Sequence, residues 1–435
     1  MIDIKKLRED PEIYKQVVRD KGIDLDIDKF LSLDKSRSEM HQEVENIRRE
    51  RNELDDKIKK ADEKSRPDLI DENKVLKDKL GQIEPKLKEI DKKYELLLRM
   101  VPLPPASDVP VGDDDSQNKE IRKEGTIPKF DFQYLDHIEL GKKLDILDFP
   151  LGVKISGSRG YVLKNEGVLL QFAVLRYALE VLKEHGFTLT IPPVLIKEFA
   201  LTGSGHFPFD TENIYRAIEQ EHLEKSDKQE PLYLAGTSEP SLLAMYANET
   251  LRAENLPVKL SGFSPCYRSE VGSYGKDTKG LYRVHEFWKV EQVVICANSE
   301  AESDKWQQKL LRISEDILEG LELPYRVVIN CTGDMGAGKY RMYDLETWMP
   351  SREAYGETHS DSALHDWQAR RLNLKYRTKE GKKMYAHTLN NTGVASPRIL
   401  IPLLENHQQA DGSVKVPKML QSYCGLDIIV PKEKC

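Results

Sequence analysis

The chain has 435 residues, a length that predicts two or three domains. Asp and Glu residues (74) outnumber Lys and Arg residues (66), which excludes a protein that is basic over its whole surface. A nucleic-acid partner would therefore have to meet a local basic surface. The sequence contains no run of about 18 apolar residues, which argues against a transmembrane helix and a membrane partner.

The ends of the chain and its cysteines indicate a cellular compartment. The N-terminus, MIDIKKLREDPEIYKQ, is charged and lacks the apolar region of a signal peptide. The five cysteines are far apart and form neither a Cys-x-x-Cys pair nor a Cys/His cluster. We therefore expect neither a disulfide framework nor a zinc site, and reduced thiols predict a cytoplasmic protein.

Residues 28–100 carry two runs of apolar residues with the alternating four- and three-residue spacing of a coiled coil. The first run is Leu33, Met40, Val44, Ile47, Leu54 and Ile58, with Arg37 and Arg51 at two seam positions, and the second is Leu76, Leu80, Ile83, Leu87, Ile90, Tyr94 and Leu97. Pro67, in the segment between the runs, is expected to break the helix. The pattern predicts an antiparallel helical hairpin, and Pro85 should kink or loosen its second arm.

Periodicity alone leaves the role of this hairpin open between a dimerisation coiled coil, an inert spacer and a binding arm. Residues 41–100 hold 16 basic and 16 acidic residues, so charge does not decide between these roles.

The rest of the chain reads as a linker and a larger mixed domain. Residues 106–130 are rich in Pro, Asp and Ser and are predicted to link a domain over 1–105 to one over 131–435. Within the larger domain, apolar spacing predicts a helix over 169–183 that ends near Gly186, and the next segment, GFTLTIPP, predicts a strand that ends before Pro193. The charged stretch 215–231 reads as a surface insertion.

The most informative segment is 266–291, CYRSEVGSYGKDTKGLYRVHEFWKVE. Its flanks mix β-branched, aromatic and polar residues as strands do, and its centre is a basic loop rich in Gly and Ser. Two strands joined in this way would hold Arg268 and Arg283 over a shared floor. The planar fork of arginine donates two parallel hydrogen bonds, so this pair predicts a site for phosphate or carboxylate.

The order Arg-x-Glu, loop, second Arg and His-x-Phe resembles motif 2 of the class II aminoacyl-tRNA synthetases, and its wording resembles the seryl-tRNA synthetases. TLNNTGVASPRILIPLLEN resembles motif 3, and the helix and strand before Pro193 resemble motif 1. The resemblance implies an α+β fold, with an antiparallel coiled-coil hairpin followed by a class II catalytic domain built on an antiparallel sheet flanked by helices. It implies ATP-dependent attachment of L-serine to tRNA-Ser, and also to tRNA-Sec. It further implies a homodimer formed through motif 1 and a helical arm that binds tRNA-Ser.

The resemblance also implies roles for individual residues around ATP. Arg268 would clamp the α-phosphate and the serine carboxylate, Arg398 would meet the γ-phosphate from near the start of a helix, and these two with Glu357 form the implied catalytic set. Glu270 would accept from the adenine amino group, Phe287 would stack on adenine, and the loop Ser273–Lys279 would meet the tRNA acceptor end. The full ATP-binding set is Arg268, Ser269, Glu270, Arg283, Val284, Phe287, Glu357, Thr358, His359, Ser360 and Arg398.

A serine pocket and a magnesium site follow from the same resemblance. The implied serine-binding residues are Thr237, Ser238, Glu239, Arg268, Glu291 and Thr392. Carboxylates and small hydroxyls suit the ammonium and hydroxyl of serine, and Glu291 is the candidate for the hydroxyl. Glu357 and Ser360 would hold Mg²⁺, which favours one or two protein oxygens together with phosphate oxygens.

Some positions depart from the usual wording of the family. They include residues 359–363, Pro397 and Asn391, and Asn391 is expected to keep a positive-φ backbone. Two other functions stay open at this point: an amino acid:carrier-protein ligase built on the same catalytic domain, and a non-catalytic paralogue. The ligase would lack the helical arm, and the paralogue should have lost Arg268, Glu291 or Arg398.

Overall fold

The computed structural model describes residues 1–218, 230–271 and 279–432. The chain divides into two compact units, Met1–Pro104 and Pro105–Cys435. In these ranges, no helix combines the length and the apolar character needed to cross a membrane. Most of the expected loop Ser273–Lys279 and most of the charged stretch 215–231 lie outside the described residues.

The first unit is helical, with α1 (Ile4–Glu9), α2 (Pro11–Asp20), α3 (Ile27–Lys60) and α4 (Arg66–Met100). Asp3, Asp10 and Asp26 stand at the N-caps of the first three helices, and each carboxylate accepts a backbone N–H from the first turn. These bonds satisfy amide groups that have no partner inside a helix, which explains where the three helices begin.

Helices α3 and α4 form the predicted antiparallel hairpin. Val44, Ile47, Leu80 and Leu87 are buried in one cluster between them. Ion pairs cross the seam with opposite numbering, Arg37–Asp91 at 2.6 Å and Arg48–Glu84 at 2.8 Å, which fixes the antiparallel direction.

The prolines of the hairpin act differently from one another. The connection spans residues 61–65, so Pro67 lies in the first turn of α4 and not in the break between the helices. Proline is tolerated there because the first-turn amide has no helical acceptor. Helix α4 continues through Pro85, and the kink expected at this residue stays a prediction.

The second unit mixes helices and strands. Its helices are α5 (His137–Lys143), α6 (Phe149–Ser156), α7 (Asn165–Glu184), α8 (Glu198–Ser204), α9 (Glu239–Ala244), α10 (Glu300–Gly320), α11 (Trp367–Leu372), α12 (Leu400–Asn406) and α13 (Lys418–Cys424). Its strands are β1 (Lys119–Glu124), β2 (Leu147–Asp148), β3 (Val162–Leu163), β4 (Thr188–Thr190), β5 (Leu195–Lys197), β6 (Arg216–Ala217), β7 (Leu232–Leu234), β8 (Thr250–Arg252), β9 (Val258–Tyr267), β10 (Glu286–Cys296), β11 (Tyr325–Ile329), β12 (Arg341–Met349), β13 (Ala354–Ala363), β14 (Lys375–Arg377), β15 (Lys383–Tyr385), β16 (His387–Ser396), β17 (Val414–Lys415) and β18 (Ile428–Ile429).

Eight of the described strands form the central sheet, in the order β1-β11-β12-β13-β16-β10-β9-β4. Every neighbouring pair is antiparallel except β4 with β9, which is parallel. Smaller sheets join β15, β14 and β8, and β5, β7 and β6, and pairs form between β17 and β18 and between β2 and β3. The predicted fold class, a helical hairpin followed by a mainly antiparallel sheet with helices, is confirmed.

The two faces of the central sheet bury different clusters. Val294 packs in the main core with residues of α7 and α10, whereas Val293 packs with Leu242 and Leu243 of α9. Successive residues of a strand point to opposite faces, so α7 and α10 cover one face and α9 covers the other. The second face carries the candidate site.

Two expectations about the start of this unit have different outcomes. Residues 106–130 are not a plain linker, because they contain β1, which pairs with β11 at the edge of the central sheet. Helix α7 does end as predicted: Gly186 has φ +76° and follows the cap residue His185, and its N–H donates to Lys183 at 2.9 Å. Glycine adopts this backbone conformation without steric cost.

Candidate active site

A pocket opens on the α9 face of the sheet, where β9, β10, β13 and β16 lie side by side. Nine sequence-predicted site residues line it: Arg268, Glu270, Val284, Phe287, Glu357, Thr358, Ser360, Thr392 and Arg398. Leu281, Tyr282, Lys289, Ala395, Ser396 and Pro397 complete the lining and were not predicted. The pocket thus gathers residues that are up to 130 positions apart in the sequence.

Arg268 follows directly after β9. Its Nε donates to the carbonyl of Gly236 at 3.2 Å, and its guanidinium carbon lies 5.3 Å from the ring centroid of Phe287. The backbone N–H of Arg268 donates to the carbonyl of His285 at 3.0 Å, which ties the two strand ends together. A cation over an aromatic face is attracted by the ring quadrupole, so these contacts hold Arg268 at the pocket wall.

Glu270 and Arg283 of the same segment pair with each other. Glu270 lies within the pocket lining, and its Oε2 is 3.4 Å from Nη1 of Arg283. Arg283 itself is outside the lining residues, so the structure does not bring both arginines over one shared floor.

Arg398 is the second arginine of the pocket. Its Nε donates to the carbonyl of Tyr282 at 3.0 Å, and its Nη1 donates to the carbonyl of Glu357 at 3.2 Å. The residue lies between β16 and α12, because the helix begins at Leu400 after an N-cap at Ile399. Arg398 thus stands near the start of the helix, one residue before its cap, and the two backbone carbonyls fix the direction of its side chain.

A β-bulge in β13 brings Glu357 and Ser360 to one pocket. Against β12, Glu357 lies opposite Glu346 whereas His359 lies opposite Leu345, so Thr358 is the extra residue. In a regular strand, residues three positions apart face opposite sides of the sheet. The bulge removes that difference, and it makes the spacing Glu-x-x-Ser compatible with a shared ligand.

The same bulge turns His359 away from the pocket. Its side chain is buried, its Nε2 donates to the carbonyl of Gly393 at 2.9 Å, and its Nδ1 lies 2.9 Å from Oγ1 of Thr358. Burial lowers the pKa of His359 to about 4, so the ring is neutral at pH 7. His359 therefore serves as a partner for backbone carbonyl and hydroxyl groups, and it is not among the pocket-lining residues.

Two further expected residues have positions of their own. Ser269 donates through Oγ to the carbonyl of Glu212 at 2.6 Å and is not in the pocket lining. Asn391 lies within β16 and pairs with Gln292 of β10, and its Nδ2 donates to the carbonyl of Leu310 at 3.0 Å. The positive-φ backbone expected at Asn391 is thus not found, because the residue is an ordinary strand residue whose amide contacts α10.

Two members of the predicted serine-binding set, Arg268 and Thr392, line the pocket. The other four are not among its lining residues: Thr237, Ser238, Glu239 and Glu291. Lys289 lines the pocket, forms a short ion pair with Glu291, and donates to Oγ1 of Thr237 at 3.4 Å. Glu291 is buried, and this burial raises the pKa of its carboxyl group, while the positive charge of Lys289 opposes the rise. Sequence reasoning passed over Lys289, although its position two residues before Glu291 on one strand places both side chains on the same face.

Glu239 and Ser238 stand at the start of α9 and are both buried. Oε1 of Glu239 accepts from Nε2 of Gln368 at 2.6 Å and from Nδ2 of Asn390 at 2.9 Å. Ser238 packs closely against Gly262 of β9, where an added Cβ would lie 2.2 Å from the serine Oγ. This close approach explains why β9 carries a glycine at that position.

Comparisons with known proteins assign both units of the chain to described families. The seryl-tRNA synthetase N-terminal domain family matches residues 1–104, and the class II tRNA synthetase core domain family (G, H, P, S and T) matches residues 218–407. A serine–tRNA ligase of Deinococcus radiodurans is 48% identical over 425 residues, which cover 98% of each chain. The chain belongs to the seryl-tRNA synthetase family.

Solved structures agree with this assignment. A seryl-tRNA synthetase from Pyrococcus horikoshii, complexed with ATP, superposes with a TM-score of 0.89 at 37% identity and full coverage of both chains. A cytoplasmic serine–tRNA ligase of Naegleria fowleri in complex with AMP gives a TM-score of 0.82 at 28% identity, covering 98% of this chain and 96% of that one.

The predicted activity is therefore confirmed: the chain is a class II serine–tRNA ligase that uses ATP to join L-serine to tRNA. The two alternative functions are not favoured, since relatives of this name match the chain over its full length, including the helical arm.

Proposed function

We propose that the pocket on the α9 face holds ATP and L-serine together for adenylate formation. The observation that carries this proposal is the convergence of Arg268, Arg398 and Glu357 on one pocket that also contains Phe287. Two guanidinium groups suit the phosphate chain, and an aromatic ring suits the adenine base.

The chemistry proposed for this pocket has two steps. A carboxylate oxygen of serine attacks the α-phosphorus, the bond to the β-phosphate oxygen breaks, and pyrophosphate leaves. The 3′-terminal ribose hydroxyl of tRNA then attacks the carbonyl carbon of the adenylate, and AMP leaves. Arg268 stabilises the negative charge that grows on the α-phosphate oxygens, and its fixed position supplies this stabilisation without reorganisation.

The serine side of the pocket is proposed to lie at Thr237, Glu239, Glu291 and Thr392. Glu239 would bind the ammonium, and Glu291 would accept the hydrogen bond of the side-chain hydroxyl. Both carboxylates are buried and held by neighbours, Glu239 by Gln368 and Asn390, and Glu291 by Lys289. A buried acceptor that alanine leaves unpaired discriminates strongly against alanine.

Glu357 and Ser360 are proposed to hold Mg²⁺ with the phosphates. Both line the pocket, and both offer hard oxygen donors of the kind that Mg²⁺ takes from proteins. Asp344 lies opposite Ser360 on β12, and burial raises the pKa of its carboxyl group well above its usual range. When bound, the ion would neutralise charge on the phosphates.

The remaining proposals concern partners. The hairpin of α3 and α4 is proposed as the arm that binds tRNA-Ser, which is supported by its polar outer surface and by the family match over residues 1–104. A homodimer through the motif 1 region is supported by the exposed Phe172 and Ile191. Four described cysteines have no disulfide partner, in keeping with a cytoplasmic enzyme.

The pocket assignment is tested by serine-dependent ATP–pyrophosphate exchange with an Arg268→Ala variant. Arg377→Ala is the matched control, because that arginine is exposed on β14, is not among the pocket-lining residues, and donates to a turn carbonyl at 3.3 Å. We expect exchange to fall at least roughly hundredfold in the first variant and to be unchanged in the second. Parental exchange by Arg268→Ala would refute the role of this residue.

A further inference from the structure

Glu239 is held by two amide donors that end at the same oxygen. Nε2 of Gln368 donates to Oε1 at 2.6 Å, and Nδ2 of Asn390 donates to Oε1 at 2.9 Å. Glu239, Gln368 and Asn390 are 6%, 1% and 6% exposed. Hydrogen bonds to a carboxylate at such a buried site are strong, and a buried carboxylate left without them is destabilising. The direction of the Glu239 side chain therefore depends on these two amides.

Hydrogen bonds at both ends of its side-chain amide hold Gln368 in place. Oγ1 of Thr388 donates to its Oε1 at 2.6 Å, and its Nε2 also donates to the carbonyl of Ser204 at 2.8 Å. Turning the amide over would place its oxygen against two other acceptors, the Ser204 carbonyl and the Glu239 carboxylate. The network thus admits one orientation of Gln368.

This network joins elements that sequence order keeps apart. Gln368 lies on α11, Ser204 ends α8, Glu239 begins α9 and Thr388 lies on β16. Helix α9 is only six residues long, and Glu239 is its first residue. The direction of the Glu239 side chain is therefore set mainly by its hydrogen bonds to α11 and β16.

We propose that Gln368 is a positioning residue for serine binding: it holds Oε1 of Glu239 so that Oε2 meets the ammonium of the substrate. This inference rests on the proposed role of Glu239. Gln368 acts through Glu239 and does not contact ATP, so its loss weakens serine binding and leaves ATP binding intact. Asn390 supplies the second donor, so removing Gln368 alone loosens Glu239 without freeing it.

The rival account is that Gln368 only ties α11 to α8 and α9 as a structural bond. In that case its loss would lower stability, and it would affect serine and ATP alike. The substitution Gln368→Glu separates the two accounts. The introduced carboxyl group can donate to Glu239 while it is protonated, as the glutamine amide does, whereas its ionised form would repel Glu239. Two carboxyl groups this close share a proton, and the pair loses it as the pH rises.

The experiment is serine-dependent ATP–pyrophosphate exchange on the full chain, with KM for serine, KM for ATP and kcat measured from pH 6 to pH 9. For Gln368→Ala we expect KM for serine to rise about tenfold, with KM for ATP and kcat within about threefold of the parent. For Gln368→Glu we expect KM for serine to be near the parental value at pH 6 and to rise steadily toward pH 9. The matched control is Gln307→Ala, because Gln307 is equally buried and donates to the Arg341 carbonyl at 3.0 Å on the other face of the sheet.

Each outcome has one meaning for the proposal. An unchanged KM for serine in Gln368→Ala, or equal losses for serine and ATP, would overturn it, as would a pH-independent KM in Gln368→Glu. Glu239→Gln in the same assay distinguishes failure of the proposed role of Glu239 from failure of the positioning role of Gln368. If that variant binds serine normally, the role of Glu239 fails first; if it binds serine weakly while Gln368→Ala does not, only the positioning role fails.

Discussion

Arg398 donates from Nη1 to the backbone carbonyl of Glu357 at 3.2 Å, and the same nitrogen lies 3.6 Å from the Glu357 carboxylate. The arginine of motif 3 and the proposed magnesium ligand are thus joined directly. The guanidinium also donates from Nε to the carbonyl of Tyr282 at 3.0 Å, so one planar group bridges β13 and the segment that precedes β10. A lysine ammonium has several donors but lacks this planar fork, so it does not reproduce the two bonds in the same geometry.

We therefore expect Arg398→Lys to lose most of the activity although it keeps the charge. Serine-dependent pyrophosphate exchange should fall about hundredfold in Arg398→Lys and further in Arg398→Ala. Exchange within a few-fold of the parent in the lysine variant would show that charge alone suffices and that the two carbonyl contacts do not position the side chain.

Glu291 should control discrimination by the side-chain hydroxyl. In Glu291→Ala, we expect the preference for serine over alanine in pyrophosphate exchange to fall by roughly a hundredfold, because the acceptor for the hydroxyl is lost. The ion pair with Lys289 is lost as well, so the stability of the variant should be checked by thermal unfolding. Unchanged discrimination in a folded variant would move the hydroxyl contact elsewhere.

His359 should make the fold sensitive to acid. Burial lowers the pKa of its ring from an ordinary value of 6.5 to about 4, so the folded chain binds this proton less readily than the unfolded chain does. The stability it contributes is complete above pH 6.5 and is lost as the pH falls through about 4, by on the order of 3 kcal/mol.

The measurement is the free energy of unfolding in urea between pH 4 and pH 7.5. His359→Gln keeps a donor for the Gly393 carbonyl but does not titrate, so its stability should fall less steeply with acid than that of the parent. Parallel curves for the two proteins would contradict a neutral buried ring. His185→Gln is the control, since that histidine is at the partly exposed end of α7.

The helical arm should be separable from adenylate formation. Replacing residues 45–87 by a short Gly-Ser turn removes most of the hairpin but keeps the Arg37–Asp91 pair, at 2.6 Å, and the Phe30–Tyr94 stack, at 5.4 Å. We expect pyrophosphate exchange within about twofold of the parent and a loss of at least about a hundredfold in tRNA charging. A parental charging rate would return the arm to a structural role.

The motif 1 region should carry the dimer. Phe172 on α7 and Ile191 after β4 are 53% and 77% exposed, and a glutamate at either position would place charge in an apolar contact. Light scattering should report a monomer for Ile191→Glu and a dimer for the parent. Val75→Glu, at a site 66% exposed on the hairpin, should keep the parental mass. A dimeric Ile191→Glu variant would place the interface elsewhere.

The sequence predicts most of the residues that line the pocket, but not the residues that hold the site residues in position. Arg268, Phe287, Ser360 and Arg398 belong to segments that resemble motifs of the family, so their roles are implied by that resemblance. Gln368 and Glu239 are 129 positions apart and meet only because α9 and α11 pack on one face of the sheet. A local sequence pattern cannot relate two residues with this separation, and the segment DWQARR alone does not reveal what Gln368 contacts.

The position of His359 was missed for a different reason. Alternation along a strand would place Glu357 and His359 on one face, and the inserted Thr358 changes this register. A bulge is defined by pairing with the neighbouring strand, so it cannot be read from β13 by itself. The strand β1 was missed similarly, because its six residues are mostly charged and exposed, as is common for an edge strand.

The measurement that tests the central claim most directly is ATP–pyrophosphate exchange by the full chain with each of the twenty amino acids, in the absence of tRNA. Exchange with serine alone is the result expected from a pocket in which Arg268 and Arg398 clamp ATP while Glu239 and Glu291 select the amino acid. No exchange with any amino acid, or exchange led by glycine or alanine, would contradict it.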